Sequence, residues 1–204
     1  MAQFYENYWK EKKGDTLDDF SYKWPVVKNI LPNEKGLVVL DYGCGAGKIF
    51  QKIIETIPNN TFFGLDVSRG ALKRAKKRNP RAKFFLTSDG GKIPLEDSSV
   101  DYIVTLDVIE HIYDTKKAFS EFERVLKKNG KILISTPYHG LIKNLLISIY
   151  GFEKVFDPVG PHIRFFTVGS LKKCMENENL KVLKTGFFGR FYPLSRGFYL
   201  LCQK

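Results

Sequence analysis

The sequence predicts an α/β protein, a mostly parallel sheet with helices on both faces. Strand-like apolar runs alternate with helical stretches from residue 37 to 136, which is the βαβ pattern of a parallel sheet. The first run, Leu37 to Leu40, ends in Asp41 and a loop with glycine at every second position: Gly43, Gly45 and Gly47. The chain has 204 residues, 43% of them hydrophobic, with no repeat or low-complexity tract, so one domain with a full core is expected.

The elements follow in order. Residues 1–35 read as a helical N-terminal cap, with Phe4, Tyr5, Tyr8 and Trp9 at helical spacing. After a break at Gly14-Asp15 the apolar pattern resumes at Phe20, Trp24, Val27 and Ile30, although Pro25 argues against an unbroken helix there. Pro32 to Gly36 makes a turn into the core, residues 36–136. Within it, Lys48 opens a helix, Phe62 to Asp66 forms a second strand, and Val100 to Val104 forms another. Arg124 to Ile134 reads as the end of a helix, a turn and a strand. Residues 137–166 are an insertion containing the apolar piece Leu141 to Ile147, and a connection this long reads as a lid on the acceptor side. Residues 167–204 hold a last helix, N-capped by Thr167, and two strands, Lys181 to Phe188 and Arg196 to Cys202.

The glycine loop carries the chemistry. It departs from Gly-x-Gly-x-x-Gly, because the third glycine comes one residue early and an acid precedes the first. An acid at the mouth repels a diphosphate and attracts a cation, so the expected ligand carries an amine or sulfonium beside its ribose. Asp-x-Gly-x-Gly-x-Gly after a first strand resembles motif I of the class I S-adenosylmethionine-dependent methyltransferases. Phe62-Phe63-Gly64-Leu65-Asp66, Asp89-Gly90 with Ile93-Pro94-Leu95, Val100 to Val104 and Arg124 to Ile134 match further family elements in order.

The resemblance implies a Rossmann-like, doubly wound, seven-stranded sheet whose last strand is antiparallel. The implied cofactor is S-adenosyl-L-methionine, released as S-adenosyl-L-homocysteine. Asp41, Gly43, Cys44, Gly45 and Gly47 would cradle its methionine portion, Asp66 and Val67 its ribose, and Asp89 and Gly90 its adenine. Asp107 would sit beside the reactive end of the donor.

Methyl transfer from a sulfonium is a displacement that depends chiefly on orientation, and a base is needed only when the acceptor holds a proton. Asp107, Glu110 and His111 stand at i, i+3 and i+4 and on one helical turn would share a face, with His111 and Glu110 as base and orienter. The segment is similar to the Glu-x-x-Glu-His of ubiquinone-biosynthesis O-methyltransferases, where these positions are associated with a metal. The first acid here is one methylene shorter, and no metal is assigned. Glu110 and His111 packing the pocket wall is the alternative. Tyr138, His139, His162 and Arg164 lie in or beside the insertion and are candidates for acceptor binding, His162 with Arg164 for an anionic one.

The acceptor is narrowed by what is missing. No Asn/Asp-Pro-Pro-aromatic motif of amino-methylating enzymes follows the Val100 strand, and none of Cys44, Cys174 or Cys202 is placed as the nucleophile of cytosine-C5 methylation. A small-molecule acceptor, methylated at oxygen rather than nitrogen, is the expectation. The net charge of +11, much of it at Lys73, Arg74, Lys76, Lys77, Arg78, Arg81 and Lys83, keeps a tRNA or rRNA acceptor as the alternative, along with peripheral membrane contact. A non-catalytic scaffold would be expected to lose the glycine loop. Three scattered cysteines, no signal peptide and no span of about 20 apolar residues point to the cytoplasm.

Overall fold

In the computed structural model, residues 2–11, 20–88, 90–157 and 160–204 are described, the side chains of Ala2 and Lys154 excepted. The Gly14-Asp15 break and Asp89 lie outside them.

Two short helices, α1 (Ala2–Glu11) and α2 (Phe20–Lys28), precede the sheet. Alternation then runs β1 (Val38–Tyr42), α3 (Lys48–Thr56), β2 (Thr61–Asp66), α4 (Arg69–Arg78), β3 (Lys83–Leu86) and β4 (Val100–Leu106). A 3₁₀ turn at Ile109–His111 leads to α5 (Thr115–Val125) and β5 (Leu126–Pro137). The insertion forms α6 (Leu141–Tyr150) and α7 (Phe152–Val155), and α8 (Val168–Asn177), β6 (Lys181–Phe188) and β7 (Gly197–Gln203) complete the chain.

The sheet has seven strands in the order β3-β2-β1-β4-β5-β7-β6. Contacts from β3 through β5 are parallel, and β7 runs antiparallel to both β5 and β6. The expected Rossmann-like sheet with an antiparallel last strand is therefore present.

Period-two alternation explains why both faces are covered. Leu40, Ile103, Ile132 and Ile134 point to a core shared with Phe119 and Phe122 of α5 and Leu171 and Met175 of α8. Val39, Tyr102, Val104 and Leu133 point the other way, to Phe50 and Ile53 of α3 and Val27 of α2. Fully buried phenylalanines such as Phe119 and Phe122 each contribute roughly 1.5–3 kcal/mol.

Pro25 does not break α2, contrary to expectation. The proline loses one backbone bond and crowds the carbonyl four residues earlier, and the packing of Val27 against Phe50 and Ile53 holds the helix in spite of it. Thr167 caps α8 as expected, in a reciprocal capping box with Ser170. Strand β3 is absent from the sequence reading; its four residues hold one lysine, two phenylalanines and a leucine, too few to show a period.

Candidate cofactor and acceptor site

Strand order reverses between β1 and β4, and an open α/β sheet places its ligand crevice at the carboxyl ends of the strands around such a point. A cavity of about 360 Å³ lies there, within the roughly 300–1,000 Å³ usual for small-molecule sites. Its floor is Asp41 and Tyr42 of β1 with Gly43 just after, Asp66 of β2 with Val67, and Leu106 of β4 with Asp107. Cys44, Gly45 and Gly90 add to the wall.

The glycine loop is shaped by close approach. Gly43 has φ 81° and a Cβ there would stand 2.3 Å from Val108 Cγ2, so only glycine fits. Gly45 donates its N–H to Asp66 Oδ2 at 2.8 Å, and Ser68 N–H donates to Oδ1 at 2.9 Å. Those bonds favour the carboxylate of Asp66, but burial outweighs them and raises its pKa. Gly47 stands behind the wall, where its carbonyl accepts from buried Asn79 Nδ2 at 3.0 Å. Arg78 of the basic run donates to the Ala46 carbonyl at 2.6 Å, a scaffolding bond, while Lys73, Lys76 and Lys77 face solvent.

Asp41 is buried beside Asp66. Desolvation, then repulsion from Asp66, push its pKa up to about 8. The cavity floor thus holds two acids whose charge is incompletely compensated, a setting that favours a cationic ligand. The Cys44 thiol is likewise held well above its ordinary pKa by burial, so it is not a thiolate nucleophile.

Helix α1 forms one wall with Phe4, Tyr5, Tyr8 and Trp9. It is docked by Glu6, whose Oε2 accepts from Ser68 Oγ at 2.8 Å and Gly70 N–H at 3.3 Å, at the N-terminus of α4. A Cβ on Gly45 would meet the Trp9 ring at 2.9 Å, so the indole rests on the loop. From α2, buried Lys23 pairs with the Asp107 carboxylate, a contact that sequence reasoning missed because an isolated lysine in a short helix gives no signal of burial. Asp107 also accepts from Ser135 Oγ at 2.9 Å.

Asp107, Glu110 and His111 do not share a helical face. Asp107 adopts φ 55°, which ends β4 before the 3₁₀ turn begins and separates its carboxylate from the other two residues. His111 lines the cavity and Glu110 does not. The imidazole packs edge-on to Tyr5 at 5.5 Å and lies 4.8 Å from the His162 ring. Burial lowers its pKa to about 4, so it is neutral at pH 7. Its Nδ1 is 2.9 Å from the Pro161 carbonyl, which can only accept; Nδ1 therefore carries the proton and Nε2 is a lone-pair acceptor. The ligand atoms of Glu110, His111 and His162 lie within 4.8 Å of one another.

The remaining acceptor-side residues stand outside the cavity wall. Tyr138 packs against Phe187 and Phe198, and His139 Nδ1 is 3.2 Å from Asn144 Oδ1. Arg164 donates to the Tyr113 carbonyl. The insertion reaches the cavity through Pro161, with His162 set against the His111 ring, and not through α6. The loop bearing Ile93-Pro94-Leu95 is held by Arg124, which donates to the carbonyls of Ile93 and Leu95 at 2.9 and 3.0 Å.

Comparison with known proteins agrees with this geometry. The methyltransferase domain family matches residues 33–157. A protein of Mycolicibacterium smegmatis described as a probable S-adenosylmethionine-dependent methyltransferase is 28% identical over 180 residues, covering 88% of this chain and 62% of that one. The malonyl-[acyl-carrier protein] O-methyltransferase of Hamiltonella defensa is 34% identical over 128 residues, covering 63% and 46%. The chain thus spans less than two thirds of either relative's length. An S-adenosylmethionine-dependent methyltransferase structure from Aquifex aeolicus superposes with TM-score 0.73 over 100% of this chain and 98% of that one, at 16% identity, which shows a shared fold. With glycine loop, paired acids and strand order in agreement, the chain belongs to the methyltransferase domain family.

Proposed function

We propose that the protein methylates an oxygen of a small-molecule acceptor, with His111 as general base. The observation that carries this is the protonation of His111, a residue of the cavity wall: it is neutral, with Nδ1–H committed to Pro161, which leaves the lone pair on Nε2, 3.8 Å from Glu110 Oε1. A hydroxyl holds its proton at neutral pH and needs such a base. S-adenosylmethionine supplies an activated methyl group when bound. Asp41 would receive the ammonium of its methionine portion, Asp66 the ribose hydroxyls, and Gly90 with Asp89 the adenine. Asp107, oriented by Lys23 and Ser135, would hold the sulfonium side of the site. The rings of Tyr5, Tyr8 and Trp9, packed edge to face, offer an aromatic wall to the acceptor.

Supporting this reading, the exposed lysines of α4 do not line the cavity, and a relative sharing 34% identity is named as an O-methyltransferase. The test is transfer of a labelled methyl group to a panel of phenols, catechols and carboxylates, with total RNA in parallel. Labelled ether or ester products support it. Labelled RNA, abolished by alanine at Lys73, Arg74, Lys76 and Lys77, would replace it with an RNA acceptor.

A further inference from the structure

Helix α6 presents its sides in reverse. At 100° per residue, Leu141, Leu145, Ile149, Ile142, Leu146 and Tyr150 fall on one arc of about 180°. Every one of them is exposed, from 40% at Leu146 to 86% at Leu141. The inner side holds Lys143, Asn144 and a single half-buried apolar residue, Ile147: Lys143 Nζ donates to the Tyr138 and Arg196 carbonyls at 2.7 and 3.3 Å, and Asn144 meets His139. None of its ten residues is buried. An ordinary surface helix turns the opposite way, so this one is mounted by its polar side with its apolar side offered outward.

The apolar surface continues beyond the helix. Phe152 and Val155 of α7 are 55% and 38% exposed. Phe191 and Tyr192, on the loop between β6 and β7, are 74% and 64% exposed, and the Tyr192 ring lies 6.2 Å from Tyr138, the residue whose carbonyl Lys143 binds.

We propose that this face docks on the anionic surface of a lipid bilayer. The outer arc carries no charged side chain, as burial among acyl chains requires, and Tyr150 and Tyr192 suit the level of the headgroups. Exposed Arg190 adjoins Phe191, and exposed Arg164 lies on the returning insertion; Glu153 and Asp157 are the acids of the segment. Charge selects the occupant: a chain of net +11 is drawn to anionic lipid, whereas two such chains repel each other. Helix α6 would lie in the interfacial plane.

The test is cosedimentation with vesicles of phosphatidylcholine containing phosphatidylglycerol, and with phosphatidylcholine alone, using wild type and Leu145→Glu/Ile149→Glu. Both positions are exposed and outside the cavity, so the melting temperature and S-adenosylhomocysteine affinity should hold in the variant. Wild type is expected to sediment with the anionic vesicles, and the variant to lose tenfold or more in partitioning. Wild type remaining in the supernatant, or a variant that partitions equally, would overturn the proposal. So would a wild-type dimer in sedimentation velocity that the variant dissociates, which would give the face to a second copy.

Discussion

Lys23 of α2 and Asp107 at the end of β4 form an ion pair in the wall of the cofactor cavity, joining the N-terminal helices to the center of the sheet. Lys23 is buried, while the Asp107 side chain keeps 27% exposure. Lys23→Met retains the stem and removes the charge. We expect it to cost about 1–3 kcal/mol in urea unfolding, less than a wholly buried pair because water reaches Asp107. It should also weaken S-adenosylhomocysteine binding about tenfold, as Asp107 loses its orientation. An unchanged unfolding midpoint would show the pair to be without structural weight.

Asp41 should make cofactor binding dependent on pH. Its pKa is raised from an ordinary value of 3.8 to about 8, because burial penalises the charge. A raised acid favours the folded state fully below its unfolded pKa, and that stability is lost as pH rises toward 8. Asp41→Asn should therefore melt several degrees above wild type at pH 7, at about 2–4 °C per kcal/mol, and the gap should close toward pH 4. Cofactor affinity should move the other way: in wild type it climbs with pH up to about 8, as Asp41 ionises against the ammonium, and in Asp41→Asn it is weak and loses that slope. Calorimetry across this range checks both signs.

Much of this was legible in the sequence, and the omissions have physical reasons. The glycine loop and Asp66 were legible because close backbone approach admits few residue types, as the 2.3 Å gap at Gly43 shows. The shared face of Asp107, Glu110 and His111 was inferred from spacing alone, and spacing does not reveal the left-handed φ of Asp107. Lys23 was missed because its burial depends on a partner 84 residues away in sequence. The insertion reads as a lid because of its length, and length does not tell which side of its helix faces the protein: Lys143 and Asn144 hold that helix with most of its apolar side outward.

His111→Asn should reduce kcat by roughly 10²–10⁴, the span of general-base catalysis, while leaving S-adenosylhomocysteine affinity within about twofold. The wild-type rate should stay flat from pH 8 down to pH 5, since burial keeps the imidazole neutral until about pH 4. A fall centred near the ordinary histidine value would show that the ring is solvated during turnover.

A chelator should leave methyl transfer unchanged, because a lone pair on His111 Nε2 that takes the acceptor's proton is not held by a metal. Loss of activity with EDTA, restored by a divalent cation, would instead make Glu110, His111 and His162 a metal site.

The central claim is that the cavity at the β1–β4 switch point binds S-adenosylmethionine through its paired acids. It is tested most directly by calorimetric titration of the folded protein with S-adenosylhomocysteine, with NAD as control and Asp66→Asn alongside. Micromolar binding of S-adenosylhomocysteine, none of NAD, and a loss of tenfold or more in the variant are the expected results. A folded wild type that ignores S-adenosylhomocysteine, or a variant that binds it as tightly, would contradict the assignment of the site.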